Sequence, residues 1–133
     1  MGAKHRKNYY RKSASKGHKL VGDYLRTNVL TKSFRIYQEY PIPGNTKYHV
    51  DYFIQELSIV VEIHGEQHLK PVAFDGKKEG AKLAFLKQRE RDRKKEELIK
   101  QAGWELVIIW YDELNNLDLL FERILKKVNK HDP

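Results

Sequence analysis

The stretch YHVDYFIQELSIVVEIHGEQH, residues 48–68, decides how this chain is read. Tyr48 to Ile54 is rich in aromatic and β-branched residues, which suit a pleated, half-buried surface. Leu57 to Ile63 is a nearly continuous apolar run, the pattern of a strand covered on both faces. Gln55 and Glu56 between them predict a tight turn, so the two strands should pair antiparallel. Upstream, Phe34 to Tyr40 alternates Phe34, Ile36 and Gln38 against Arg35, Tyr37 and Glu39, a third strand that Pro41, Pro43 and Gly44 should stop and turn. Three neighbouring strands with short connections predict an antiparallel meander.

Further out, Leu20, Val21, Tyr24 and Leu25 mark one side of a short helix over His18–Asn28. Gly65 to Gly80 reads as a long surface loop. A helix is predicted over Ala81–Ala102, ended by Gly103 where a left-handed residue is wanted. Glu105–Tyr111 reads as a buried strand, and Leu114–Val128 as a closing amphipathic helix. The predicted order is αβββαβα: an α/β fold, one domain with a mixed β-sheet flanked by helices.

Composition sets the bounds. A chain of 133 residues holds one compact domain, and 40% hydrophobic content gathered in dense runs predicts a real core. No apolar run reaches the roughly 20 residues of a membrane span. The N-terminus carries charge without a hydrophobic signal core, and there is no cysteine, which excludes disulfides and thiolate zinc sites. Together these lead us to expect a cytoplasmic protein with no membrane partner. The net charge of +8 is uneven. Residues 1–20 hold seven basic residues and no acid, whereas the remainder holds 19 basic against 18 acidic. Residues 1–19 therefore read as a basic arm and 20–133 as the folded body. Lys4, Arg6, Lys7, Arg11 and Lys12, interleaved with Tyr9 and Tyr10, suit a polyanion through counterion release and stacking. A solubilising tail explains the same residues equally well.

Asp51 interrupts a hydrophobic strand, and Glu62 stands near the end of the most apolar one. A carboxylate on a buried strand is costly unless it is paired or bound to a cation. On adjacent antiparallel strands the two acids can share one ion, and hard oxygen ligands favour Mg²⁺ or Mn²⁺, which keep waters and accept a phosphate oxygen. Either acid alone reads more simply as a strand-end group facing solvent. The next residues shift that balance. His64 lies two positions after Glu62, on the same face of an extended chain. Gly65 permits a change of direction, and Glu66, Gln67 and His68 add three more polar groups.

The long helix adds independent support. Its apolar face runs through Ala84, Phe85, Leu98, Ile99 and Ala102, and the same stripe in mid-helix lands on Gln88, Asp92 and Lys95. Polar side chains thus fall where a bland amphipathic helix has Leu or Ala. Arg89 and Arg91 flank the stripe and could clamp phosphates. The competing explanation is an exposed helix laced by pairs such as Arg93 with Glu97.

At these residues the chain resembles the PD-(D/E)XK, or restriction-endonuclease-like, nuclease superfamily, in particular its small phage-type and very-short-patch-repair-like endonucleases. The likeness rests on Tyr48-His-Val-Asp51-Tyr-Phe, on Val61-Glu62-Ile-His64-Gly-Glu66-Gln-His68, and on the helix Arg89-Glu-Arg-Asp92-Arg-Lys-Lys95, and spans roughly residues 20–128. It implies a restriction-endonuclease-like fold and a Mg²⁺-dependent endodeoxyribonuclease acting on DNA phosphodiester bonds. By the resemblance, Asp51 and Glu62 would hold Mg²⁺ or Mn²⁺. His64 stands where many members have a lysine, which leaves it as base, ligand or phosphate-orienting group. His68 is similar to a histidine that assists proton transfer. Lys95 or Arg89 would stabilise the transition state, and Asp23 or Glu39 would supply an extra acid. Gln67, Gln88, Arg89, Arg91 and Asp92, with the arm, would meet the DNA. Two other readings stay open: a structure-specific junction resolvase acting as a homodimer, and a non-catalytic nucleic-acid-binding module. A lone domain offers one active site, so double-strand cleavage needs a dimer or two nicks.

Overall fold

The computed structural model describes residues 16–66 and 78–130. Helix α1 (Lys16–Thr27) buries Val21 and Leu25, while Leu20, which the pattern puts on the same side, is exposed. Lys16 and Lys19, grouped by charge with the arm, are already helical. Strand β1 (Ile36–Ile42) runs through Pro41 instead of stopping before it, and Pro41 pairs with His49. The sheet order is β1-β2-β3-β4, which puts β1 at an edge, where a residue without an N–H is tolerated. The turn follows at Pro43 and Gly44, the latter with φ +86°.

Strand β2 (Asn45–Ile54) is longer than predicted. A single 3₁₀ turn, Gln55–Leu57, and Ser58 in the left-handed region lead into β3 (Ile59–His64). Strands β1, β2 and β3 form the expected antiparallel meander. Helix α2 (Lys78–Gln101) begins three residues before the predicted start, and Gly103 follows it at φ +80°. Strand β4 (Glu105–Trp110) then pairs parallel to β3, and α3 (Asp118–Lys130) closes the fold. The described residues form an α/β domain with a four-stranded mixed sheet and three α-helices.

The core has two halves, one on each side of the sheet. Val21 and Leu25 of α1 and Leu120 and Ile124 of α3 meet Tyr52, Ile54, Ile59, Val61, Val107 and Ile109. On the other side Ile99 of α2 meets Ile42, Val50, Phe53 and Val60. An aromatic row crosses this second side: Tyr37 stacks on Tyr40 at 5.0 Å, Tyr40 on Phe53 at 5.1 Å, and Phe53 on Trp104 at 4.2 Å. These contacts anchor the C-terminal end of α2. Strand β3, with Ile59, Val60 and Val61 all buried, is covered on both faces as its composition requires.

One irregularity positions the site. On β1 and β2 the residues facing α2 are spaced by three rather than two: Tyr37 and Tyr40, Val50 and Phe53. The alternation breaks at Glu39, whose φ is +52°, and at Asp51 across from it, between the pairs Gln38↔Tyr52 and Tyr40↔Val50. One step beyond Tyr52↔Val61 in the β2–β3 register, Asp51 stands across from Glu62. Glu39, Asp51 and Glu62 thus form one transverse row over three strands.

The far end of β4 is tied to α3 by charge. Glu113 accepts from the Trp110 N–H at 2.9 Å and takes Arg123 on both oxygens, at 2.8 and 2.6 Å; Arg123 also donates to the Ile108 carbonyl at 3.0 Å. The Arg123 guanidinium, opposed by burial and helped by the Trp110 N–H, holds the Glu113 carboxyl below its ordinary value. A lowered carboxylate stabilises the fold above its unfolded-state pKa of about 4.3 and stops doing so as pH falls through the folded value. Arg123→Ala should therefore destabilise by about 1–2 kcal/mol near neutral pH. Denaturant melts should show that gap shrinking below pH of about 4; a gap that persists in acid would remove the ion pair as its cause.

Candidate active site

The β2–β3 ladder ends at Tyr52↔Val61, and beyond it the two strands bond through side chains. The Asp51 N–H donates to Glu62 Oε2 at 2.7 Å, and the Ile63 N–H donates to Asp51 Oδ2 at 2.8 Å. Each carboxylate takes a backbone donor of the other strand, which would otherwise be left unsatisfied. Cations complete the arrangement. Lys95 Nζ, from mid-α2, donates to Glu62 Oε1 at 2.9 Å, and His18 Nε2, from α1, donates to Asp51 Oδ1 at 3.1 Å. The Tyr52 hydroxyl holds the His18 carbonyl at 2.7 Å and so fixes where the imidazole starts.

Electrostatics follow from this geometry. Burial pushes the Asp51 carboxyl up, but the His18 bond and charge, the Ile63 N–H and Lys95 together hold it below its ordinary value. The Asp51 hydrogen bond raises the His18 imidazole against burial. Burial works to lower Lys95, yet Glu62, then Asp51 and Asp92, outweigh it and keep the ammonium charged. Two carboxylates, a lysine ammonium and an imidazole interlock across the sheet.

His64 follows Glu62 on the α2 side, buried and edge-on to Trp110 at 5.1 Å between centroids. Its Nε2 lies 3.9 Å from Glu62 Oε1, beside the carboxylate but beyond hydrogen-bond length.

On α2, the less exposed stripe is Ala81, Phe85, Gln88, Asp92, Lys95 and Ile99. The polar residues expected to face inward do so, and Gln88 Nε2 donates to Asp92 Oδ1 at 2.8 Å. Ala84, expected on the same face, is exposed, because the stripe follows Ala81 and Phe85. The pairing pattern also holds, on the outer side only: Arg93 bridges Glu90 at 2.7 Å and Glu97 at 3.1 Å. Between helix and sheet opens a cleft of about 410 Å³, lined by Lys47, Tyr48 and His49 from β2 and by Gln88, Arg91, Asp92 and Lys95 from α2. Arg91 joins this cleft; Arg89 instead lies over the Phe85 ring, 5.8 Å from its centroid.

Comparison with family models, with curated proteins and with solved structures finds no match to this chain. The site is therefore read from its own chemistry. Among the described residues, His18, Glu39 and Asp51 are grouped with ligand atoms all within 4.8 Å of one another, a spacing that could hold a cation. Of the two candidates for an extra acid, Glu39 joins Asp51 and Asp23 stays exposed on α1. Gln67, His68, Lys4, Arg6, Lys7, Arg11 and Lys12 lie outside the described residues.

His18 is the residue that sequence reasoning missed. It lies three and seven positions before Val21 and Leu25, on the stripe that α1 buries, so it carries the signal that picked out Lys95. Grouping it with the basic arm hid that signal.

A double-mutant cycle checks the central contact. In metal-free buffer, Glu62→Gln and Lys95→Met should couple by about 1–3 kcal/mol in unfolding free energy, the range of a charge-assisted bond that is partly buried. Coupling near zero would place the ammonium in solvent.

Proposed function

We propose that this chain is a metal-dependent endodeoxyribonuclease with a restriction-endonuclease-like fold. One observation carries the reading: two carboxylates on neighbouring strands, Asp51 and Glu62, stand side by side, and Glu62 takes a lysine that lines a cleft with further basic residues. The order α1-β1-β2-β3-α2-β4-α3 agrees with that fold.

The donor set fits a hard dication. A carboxylate has about four acceptor directions, and Asp51 and Glu62 each use two of them in the hydrogen bonds described, so oxygen lone pairs remain. Mg²⁺ or Mn²⁺ held there supplies charge neutralisation at a phosphate and a more acidic water. The chain's own residues do the rest. Lys47, Arg91 and Lys95 line the cleft with positive charge that would attract a phosphate, and Lys95 links that cleft to Glu62. Lys95, fixed by Glu62, offers remaining N–H bonds to charge that builds on the phosphoryl oxygens. His64 is the group beside Glu62 suited to moving a proton. Tyr48 offers a ring at the cleft wall on which a base or sugar can pack.

A rival reading, a non-catalytic DNA-binding module, draws on the same contacts: both acids already hold protein partners and could serve as structural pins. Turnover separates the two. Supercoiled plasmid with Mg²⁺ or Mn²⁺ should be nicked or cut by wild type. Asp51→Ala and Glu62→Ala should fall to background, and Lys95→Ala should lose about 10²–10³-fold in rate. Folded acid variants as active as wild type would end the nuclease reading. Binding alone should respond to Arg91→Ala, with the slope of log K against log salt falling by about one.

A further inference from the structure

We propose that His18, Glu39 and Asp51 form a second cation position, a site for a divalent transition metal in which the His18 imidazole is a ligand. It shares Asp51 with the nuclease reading but goes beyond it, and needs no cleavage to be true.

Three separate elements bring the donors together: His18 from α1, Glu39 from β1 and Asp51 from β2. Their ligand atoms all lie within 4.8 Å, and His18 Nε2 is 3.1 Å from Asp51 Oδ1. Two donors about 2.1 Å from one ion are about 3 Å apart at right angles and about 4.2 Å apart across it. The observed spacing accommodates a single ion with small adjustment. The donors are also held from behind. Tyr52 fixes the His18 backbone, and the Ile63 N–H occupies Oδ2 of Asp51, which leaves Oδ1 turned to His18. Glu62 is held by the Asp51 N–H and by Lys95, so the His18–Glu39–Asp51 group is a different donor set from the Asp51–Glu62 pair, with Asp51 in common.

The donor chemistry selects the ion. One imidazole nitrogen and two carboxylates balance a dication when the imidazole is neutral. Nitrogen donors suit first-row transition ions, whereas Mg²⁺ prefers oxygen and keeps its waters. Glu39 is the exposed member of the three, while His18 and Asp51 are half-buried.

A plain His18–Asp51 ion pair has the same separation, and nitrogen ligation tells the two apart. The full chain, freed of metal, is titrated with Mn²⁺ and followed by calorimetry and by pulsed electron paramagnetic resonance, which detects directly bonded nitrogen. Wild type should show nitrogen modulation and bind Mn²⁺ about ten-fold or more tighter than Mg²⁺. His18→Asn, and His18→Ala if it folds, should lose the modulation. Both, and Glu39→Gln, should bind Mn²⁺ about ten-fold or more weakly, while Glu62→Gln keeps the nitrogen signal. No Mn²⁺ binding, bound Mn²⁺ without nitrogen modulation, or modulation that survives in His18→Asn overturns the site. The two readings fail separately: nitrogen-ligated Mn²⁺ with intact plasmid sinks the nuclease and keeps this position, and cleavage without a nitrogen signal does the reverse.

Discussion

Buried backbone donors must find acceptors, and at the end of the β2–β3 ladder they find carboxylates. Past Tyr52↔Val61 the Asp51 N–H goes to Glu62 and the Ile63 N–H to Asp51. Hydrogen bonding thus crosses to side chains without leaving an orphan donor at either position. Much else follows from that exchange. Two anions now stand together away from bulk water, and each needs a cation. Lys95 must come from α2 and His18 from α1, because these helices cover the two faces of the sheet. The anchoring of α2 by Ile99 and by the Phe53–Trp104 stack holds the helix where Lys95 can reach Glu62.

The sequence made the skeleton of this arrangement readable. The dense run Ile59–Val61 announces a strand buried on both faces, and it is one. Gly103 announces a left-handed helix end, and its φ of +80° agrees. Polar residues on the stripe of a long helix announce side chains turned toward the sheet, and Lys95 reaches Glu62. Each of these is a local pattern with a single physical cause. The failures lie where a local rule met tertiary context. Pro41 is a strand breaker by itself, but an edge strand asks nothing of its missing N–H. Ala84 and Leu20 look apolar enough to bury, but the sheet has no room for them once Phe85 and Val21 take the contact. The pairing of Glu39 with Asp51 depends on a break in alternation that strict two-residue periodicity forbids. No composition rule signals a positive φ at a glutamate.

Charge distribution shows the same division between local and assembled information. Counting finds a basic arm and a nearly neutral body. Folding redistributes the neutral body into a polarised one. Glu39, Asp51 and Glu62 line up across three strands, while Lys47, Arg91 and Lys95 line the neighbouring cleft. Arg93, drawn to Glu90 and Glu97 on the outer side of α2, spends its charge on solvent-facing pairs worth little. Lys95, which the helix turns inward, meets the buried Glu62 instead.

That polarity bears on what the site requires under the nuclease reading. A phosphate drawn to Lys95 would approach Glu62, which Lys95 holds at 2.9 Å. Two like unit charges about 5 Å apart repel by about 3 kcal/mol at an effective dielectric near 20. Lys95 and His18 are already committed to the carboxylates, so the Lys95 charge is largely used where it stands. A phosphate placed there without further positive charge would be pushed back toward the outer cleft, held by Lys47 and Arg91 but short of the acids. A dication at Asp51 reverses the sign of that contact and turns the acids from a barrier into a docking point. The same acids that would spoil a passive phosphate-binding cleft are the ones a metal-dependent cleft needs. Glu62 reaches that groove only through Lys95, which lines it and holds the carboxylate at 2.9 Å, so under the nuclease reading charge on the acids and charge on the groove wall meet at a single ammonium.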